Sequence, residues 1–123
     1  MLDHLALTVS DPSSARSLYE RALEPLGYTV QLEYGSRVGF GRDGMPSFWL
    51  YPGEPVSGPL HVAFQAADRA AVDAFWGAAV AAGAVDNGAP GLRPVYHPNY
   101  YGAFVLDGDG NNVEAVCHKA PAA

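Results

Sequence analysis

Two stretches of the chain, 57 residues apart, carry the same punctuation, and this repeat limits the possible folds more than any other feature. Asp3-His4-Leu5-Ala6-Leu7 aligns with Leu60-His61-Val62-Ala63-Phe64. At the same offset Asp11 meets Asp68, Tyr19 meets Trp76 and Ala22 meets Ala79. Each block reads as a strand, an Asp-capped helix and a glycine, Gly27 or Gly83, near the helix end. A repeated supersecondary unit buries its apolar face against its own copy, so the pattern predicts paired modules.

Leu2 to Val9 alternates with period two, Leu5, Leu7 and Val9 opposing His4, Ala6 and Thr8. Asp11-Pro12 starts a helix, because Asp accepts orphan N–H bonds and proline suits the first helical position. Ala15, Leu18, Tyr19, Ala22 and Leu26 trace its buried stripe. Strands are expected over 28–34, 37–42 and 46–51, with turns at Gly35-Ser36 and Arg42-Asp43-Gly44. In the second half a strand spans 60–66, and Asp68 caps a helix with the stripe Val72, Phe75, Trp76, Ala79 and Gly83. Residues 87–98, with Pro90, Pro94 and Pro98, read as a long irregular segment and a candidate rim for a site. Strands over 100–107 and 112–118 close the chain around Gly108-Asp109-Gly110. The sum is βαβββ twice over, an α+β fold. One domain is expected over 1–119, of modules 1–56 and 57–119, with a tail at 120–123.

Composition excludes several functions. With 49% hydrophobic and 16% charged residues the chain is globular, not disordered. A net charge of −6 and scattered basic residues argue against nucleic acid or an anionic membrane as partner. The longest charge-free apolar run, Ala74 to Val85, is too short to span a bilayer. The start Met1-Leu2-Asp3-His4 lacks a signal-peptide pattern, and the single Cys117 suits a reducing compartment. A cytoplasmic protein acting on a small molecule is the expectation.

His4, His61 and Glu114 form the sharpest constellation. Each lies on a predicted strand at the parity opposite the apolar side chains Leu5/Leu7, Val62/Phe64 and Val113/Ala115/Cys117. Brought together on the face away from the helices, they would supply two imidazoles and a carboxylate to a divalent metal with open positions for substrate. A strand histidine also serves as a plain structural residue, so spacing alone leaves both readings open.

The stretches that carry a resemblance are Asp3-His4-Leu5-Ala6-Leu7-Thr8-Val9 and residues 11–27 with Leu18-Tyr19 and Leu26-Gly27-Tyr28. The third is Tyr101-Gly102-Ala103-Phe104-Val105-Leu106-Asp107-Gly108-Asp109-Gly110-Asn111-Asn112-Val113-Glu114. On these the sequence resembles the vicinal oxygen chelate superfamily of glyoxalase I, fosfomycin-resistance proteins, extradiol dioxygenases and bleomycin-resistance proteins. The resemblance implies two βαβββ modules forming a curved, U-shaped mixed sheet around a cleft, commonly completed by a homodimer. It implies His4, His61 and Glu114 as ligands of a divalent ion, Fe, Mn, Ni or Zn. The activity implied is that of a lyase or dioxygenase chelating two oxygens of a small substrate. The same superfamily also implies an alternative, a metal-free binding protein of the bleomycin-resistance type. Trp49 stands where glyoxalase I has a fourth, carboxylate ligand, and Glu54 lies beyond Pro52-Gly53, which counts against glyoxalase I chemistry. The chain is short for most dioxygenases, and the potassium loop of the fosfomycin enzymes has no match.

Trp49, Tyr51, Tyr96, Tyr100 and Tyr101, with Arg37 and Arg93, are candidate walls for a planar or anionic ligand. Thr8, Gln65 and His118 share the parity of the candidate metal ligands, and His97 sits in the irregular segment, placed to close over a ligand. Gly39-Phe40-Gly41-Arg42-Asp43-Gly44 matches a dinucleotide fingerprint, but a strand and not a helix follows, so it is a turn. Residues 107–118 begin like a calcium loop but have Asn112 at its sixth position and His118 at its twelfth.

Overall fold

The structure is a computed structural model that describes residues 2–54 and 59–121. The expected module boundary near residue 56 and the end of the tail lie outside the described residues. The first half contributes β1 (Leu5–Val9), α1 (Pro12–Leu23), a 3₁₀ turn (Glu24–Leu26), β2 (Thr29–Tyr34), β3 (Arg37–Arg42) and β4 (Met45–Pro52). The second contributes β5 (His61–Gln65), α2 (Arg69–Ala81), β6 (Val85–Leu92), β7 (Tyr101–Leu106) and β8 (Asn112–Cys117).

These strands form two four-stranded mixed sheets of identical topology, β1-β4-β3-β2 and β5-β8-β7-β6. In each, the strand before the helix runs parallel to the last strand of its half, and the remaining pairs are antiparallel. Both helices start as the sequence dictates. Asp11 accepts the Ser14 N–H at 3.2 Å and Asp68 accepts the Ala71 N–H at 2.8 Å, each satisfying a donor the helix leaves free.

The core lies where the helices cover the sheets. Leu18, Tyr19, Ala22 and Leu23 of α1 and Val72, Phe75 and Ala79 of α2 are buried against Leu7, Val9, Leu50, Val113 and Ala115. An aromatic row joins the two halves: Tyr19 packs on Phe48 at 5.1 Å, and Phe48 meets Phe64 edge-on at 5.0 Å. Cys117 is buried in this core. No helix of the described residues is long and apolar enough to cross a membrane.

The segment expected to be irregular over 87–98 is a strand through Leu92. β6 is the edge of its sheet, where Pro90 needs no N–H for the ladder. Its pairing with β7 slips twice, between Asp86 and Gly88 and between Gly88 and Gly91, and these bulges hide the period-two pattern. Only residues 93–100 form the loop.

The polar turn before β8 locks the halves together. The buried Asp107 carboxylate, 8% exposed, accepts from the Asp109 and Asn111 N–H groups at 3.0 and 2.8 Å, and from Asn111 Nδ2 at 2.9 Å. Its fourth donor is the Tyr19 hydroxyl of α1, at 2.7 Å. Burial, and then the charge of Asp107, push the Tyr19 phenol well above its ordinary range. Tyr19→Phe should therefore cost about 2 kcal/mol in urea unfolding at neutral pH, because a buried carboxylate loses a donor. The raised phenol also fixes a sign. Wild-type stability should fall as pH rises above about 10, where the unfolded chain gives up a proton that folded Tyr19 retains, and the variant's decline should be shallower.

Candidate functional site

The helix-free face of the second sheet gathers the polar groups. In the parallel pair β5–β8, His61 lies opposite Asn112 and Ala63 opposite Glu114, and in β7–β8 Phe104 lies opposite Glu114. Paired residues share a face, so His61, Ala63, Glu114 and Phe104 point together, away from α2.

Glu114 is the centre. It is 1% exposed, and both its oxygens are engaged. His61 Nε2 lies 2.8 Å from Oε1, with the imidazole side chain still 54% exposed. The Tyr100 hydroxyl donates to Oε2. Burial, and then the Glu114 carboxylate, push the Tyr100 hydroxyl well above the usual phenol range, so at neutral pH it is a donor. Gly102 makes room for this contact. A Cβ there would lie 3.2 Å from the Tyr100 ring and 3.3 Å from Glu114 Oε2.

Loop 93–100 is tied down over this corner. Tyr100's ring packs against Tyr96 at 4.8 Å, His97 at 5.5 Å and His118 at 5.3 Å. His97 Nδ1 accepts the Asn99 N–H at 3.1 Å, so a neutral His97 carries its hydrogen on Nε2 and donates it to His118 Nδ1, 2.7 Å away.

The expected trio is divided between the sheets. His61 and Glu114 meet, whereas His4 precedes β1 on the other sheet, where its Nδ1 bonds Asp3 at 2.8 Å. His4 lines a cavity with Tyr28, Phe48, Ala63 and Gln65 that includes neither His61 nor Glu114. Among the described residues, no three His, Cys, Asp or Glu side chains stand close enough to hold one metal ion.

The candidate walls divide in the same way. Trp49, Tyr51 and Arg37 share the helix-free face of the first sheet, Arg37 lying 4.5 Å over the Tyr51 ring and Trp49 standing edge-on to Tyr51 at 6.3 Å. Tyr100 and His97 belong to the Glu114 corner. Tyr101 faces the opposite way. It pairs with core-facing Cys117, its hydroxyl donates to Asp73 of α2 at 2.6 Å, and Arg69 sits over its ring. Sequence reasoning passed over Phe104 and the Tyr100–Glu114 bond. A glycine inside a strand, Gly102, was the available sign of close approach.

The register also fixes which residues correspond between the halves. Trp49 lies opposite Ala6 as Glu114 lies opposite Ala63, so Trp49 occupies the place of Glu114 in the first sheet. The Glyoxalase/Bleomycin resistance protein/Dioxygenase superfamily model matches residues 1–115. The chain belongs to this superfamily. A glyoxalase/bleomycin resistance protein from Albidiferax ferrireducens T118 is similar in structure, with a TM-score of 0.82 at 25% identity over 94% of this chain and 97% of that one. A glyoxalase/bleomycin resistance protein/dioxygenase family enzyme from Burkholderia phytofirmans PsJN reaches 0.72 at 17% identity, over 96% and 98% of the chains. The fosfomycin resistance protein FosX from Mesorhizobium loti reaches 0.70 at 17% identity, over 95% and 91%. The last two show the superfamily's fold alone. No curated protein matches the chain by sequence.

The Tyr100 hydroxyl covers Glu114 in this corner, and its ionisation reports the contact. In an alkaline absorbance titration, the tyrosine fraction that ionises only above the ordinary value of about 10 should fall by one residue's share in Tyr100→Phe. An unchanged late fraction would mean that Glu114 does not hold Tyr100.

Proposed function

We propose that the chain is a metal-dependent small-molecule enzyme of the glyoxalase/dioxygenase type, with His61 and Glu114 as two ligands of a divalent ion. One observation carries this reading: His61 Nε2 and Glu114 Oε1 lie 2.8 Å apart. Adjacent donors bound at roughly 2.0–2.2 Å to one ion stand about 3 Å from each other, so small shifts would let both bind it. The donor set suits Fe, Mn, Ni or Zn. The hydrogen bond from Tyr100 to the far oxygen is the outer support that ligating carboxylates have.

One chain offers two of the three expected donors. The third, His4, lies on the other sheet with a side chain 56% exposed. It is available to a second copy, so the proposed working form is a homodimer whose sites each combine His61 and Glu114 of one copy with His4 of the other. When bound, the ion supplies Lewis acidity toward two neighbouring oxygens of a substrate. The chain's own contribution is positioning. Tyr100 fixes the Glu114 carboxylate, Phe104 provides an apolar floor beside His61, their rings 6.3 Å apart, and loop 93–100 walls the corner.

A second reading is a metal-free binding protein. It is favoured by Trp49 in the place of Glu114, lying flat on Gly39, where a Cβ would come within 2.9 Å of the indole. With Tyr51 and Arg37 it makes an aromatic face suited to a planar ligand.

Elemental analysis of protein purified without chelators separates the two. The enzyme reading expects near-stoichiometric metal in the wild type and loss of most of it in His61→Ala and in His4→Ala. Mixing and refolding the two variants together should restore one site in each mixed dimer, because an intact His4 and an intact His61 then meet across the interface. Restoration would not follow if every site lay within one chain. Empty protein with a melting temperature indifferent to added Fe, Mn, Ni or Zn would leave the binding-protein reading.

A further inference from the structure

β6 bends around one cation. Arg93 follows the strand, and its guanidinium turns back onto it: Nη2 donates to the Ala89 carbonyl at 2.8 Å. Two glycines keep the space open. A Cβ at Gly88 would lie 2.9 Å from the Phe104 ring and 3.2 Å from Arg93 Nη2, and one at Gly91 3.1 Å from Nη1. Gly88 has φ +148°, a conformation that side chains rarely adopt. The two slips in the β6–β7 ladder fall on either side of Gly88, so the irregularity of the strand coincides with the cradle of the guanidinium.

This cradle opens on the face that carries Glu114. The Arg93 guanidinium carbon sits 5.4 Å over the Phe104 ring, and the same ring lies 6.3 Å from the His61 imidazole. Phe104 thus separates a cation on one side from the His61–Glu114 pair on the other. The charge of Arg93 reaches across the corner, opposing the upward shift of the Tyr100 phenol. Arg93 forms no ion pair with a carboxylate among the described residues, in a chain of net charge −6. Its bonds to the Ala89 and Leu92 carbonyls leave further N–H groups of the planar fork without an acceptor among the described residues.

We propose that Arg93 is the anion anchor of this site, and that the small molecule bound there carries a carboxylate or phosphate on the Arg93 side of Phe104 while its other end reaches His61 and Glu114. The guanidinium fork matches the paired oxygens of either anion, and Phe104 gives the intervening part of the molecule an apolar bed. The inference rests on reading the helix-free face of the second sheet as the small-molecule site, and it does not need a metal there.

The test follows arginine Nε–Hε resonances of ¹⁵N-labelled protein, assigned through the backbone, during titration with inorganic phosphate at constant ionic strength. Arg93 should shift saturably, with half-saturation at least tenfold below any response of Arg37 or Arg69, which lie over Tyr51 and Tyr101. The same response should persist in His61→Ala, whose metal content is measured in parallel. That keeps failure of the anchor distinct from failure of the metal reading. A linear Arg93 shift parallel to those of the other arginines would overturn the proposal. So would a saturable shift that disappears in His61→Ala, since phosphate would then be held at the imidazole end.

Discussion

A buried carboxylate with four donors organises this molecule. Asp107 is nearly inaccessible, and such a charge is tolerated only when hydrogen bonds replace its lost water. Three of its donors come from its own turn, and the fourth, the Tyr19 hydroxyl, comes from the opposite half of the chain. Asn111, held by Asp107, in turn accepts the Leu60 N–H at 2.9 Å and so sets the entry of β5. Asn112 then donates its N–H to the Leu60 carbonyl at 2.8 Å. The turn therefore fixes α1, β5 and β8 relative to one another. Glu114 lies three residues beyond Asn111, so its place beside His61 follows from that register.

The same topology carries different chemistry in the two halves because a few positions differ. Ala6 and Ala63 are equivalent, yet their partners are Trp49 and Glu114. The next strand continues the divergence. Gly39 lies opposite Trp49 and accommodates a flat indole, whereas Phe104 lies opposite Glu114 and stands beside His61. One face thus became aromatic and the other ionisable without any change in strand order.

Features with a local physical cause could be read from the sequence. Asp11 and Asp68 cap helices because their side chains reach N–H groups three residues on, a distance set by backbone geometry alone. Strand parity likewise placed His61 and Glu114 on one face. What escaped was non-local. β6 lost its alternation to bulges around Gly88, where the Phe104 ring and Arg93, a residue beyond the strand's own end, come close. Tyr101 looked like its neighbour Tyr100, but entry into β7 turns successive side chains to opposite faces, and Tyr101 pairs with core-facing Cys117. His4 stands on the other sheet from His61 and Glu114, and parity within a strand says nothing of how two sheets are set against each other. The closing motif likewise mixed two roles: Asp107 and Asn111 hold the turn, and Glu114 alone of the three reaches His61 and Tyr100.

Energetics explain why Glu114 is the point on which the site turns. At 1% exposure its carboxylate is as withdrawn from water as the apolar core, but among the described residues it has two side-chain partners where Asp107 has four donors. The shortfall cannot be met by relaxing outward, because Tyr100 covers one oxygen and Gly102 lets that cover sit close. Positive charge delivered from the open side, where His61 stands half-exposed, is what a carboxylate in this setting binds best. The metal ion proposed at His61 and Glu114 would satisfy that demand directly. A cation there would also complement the anion that Arg93 would hold on the far side of Phe104, so the two ends of the face would favour a ligand of defined polarity and a single orientation.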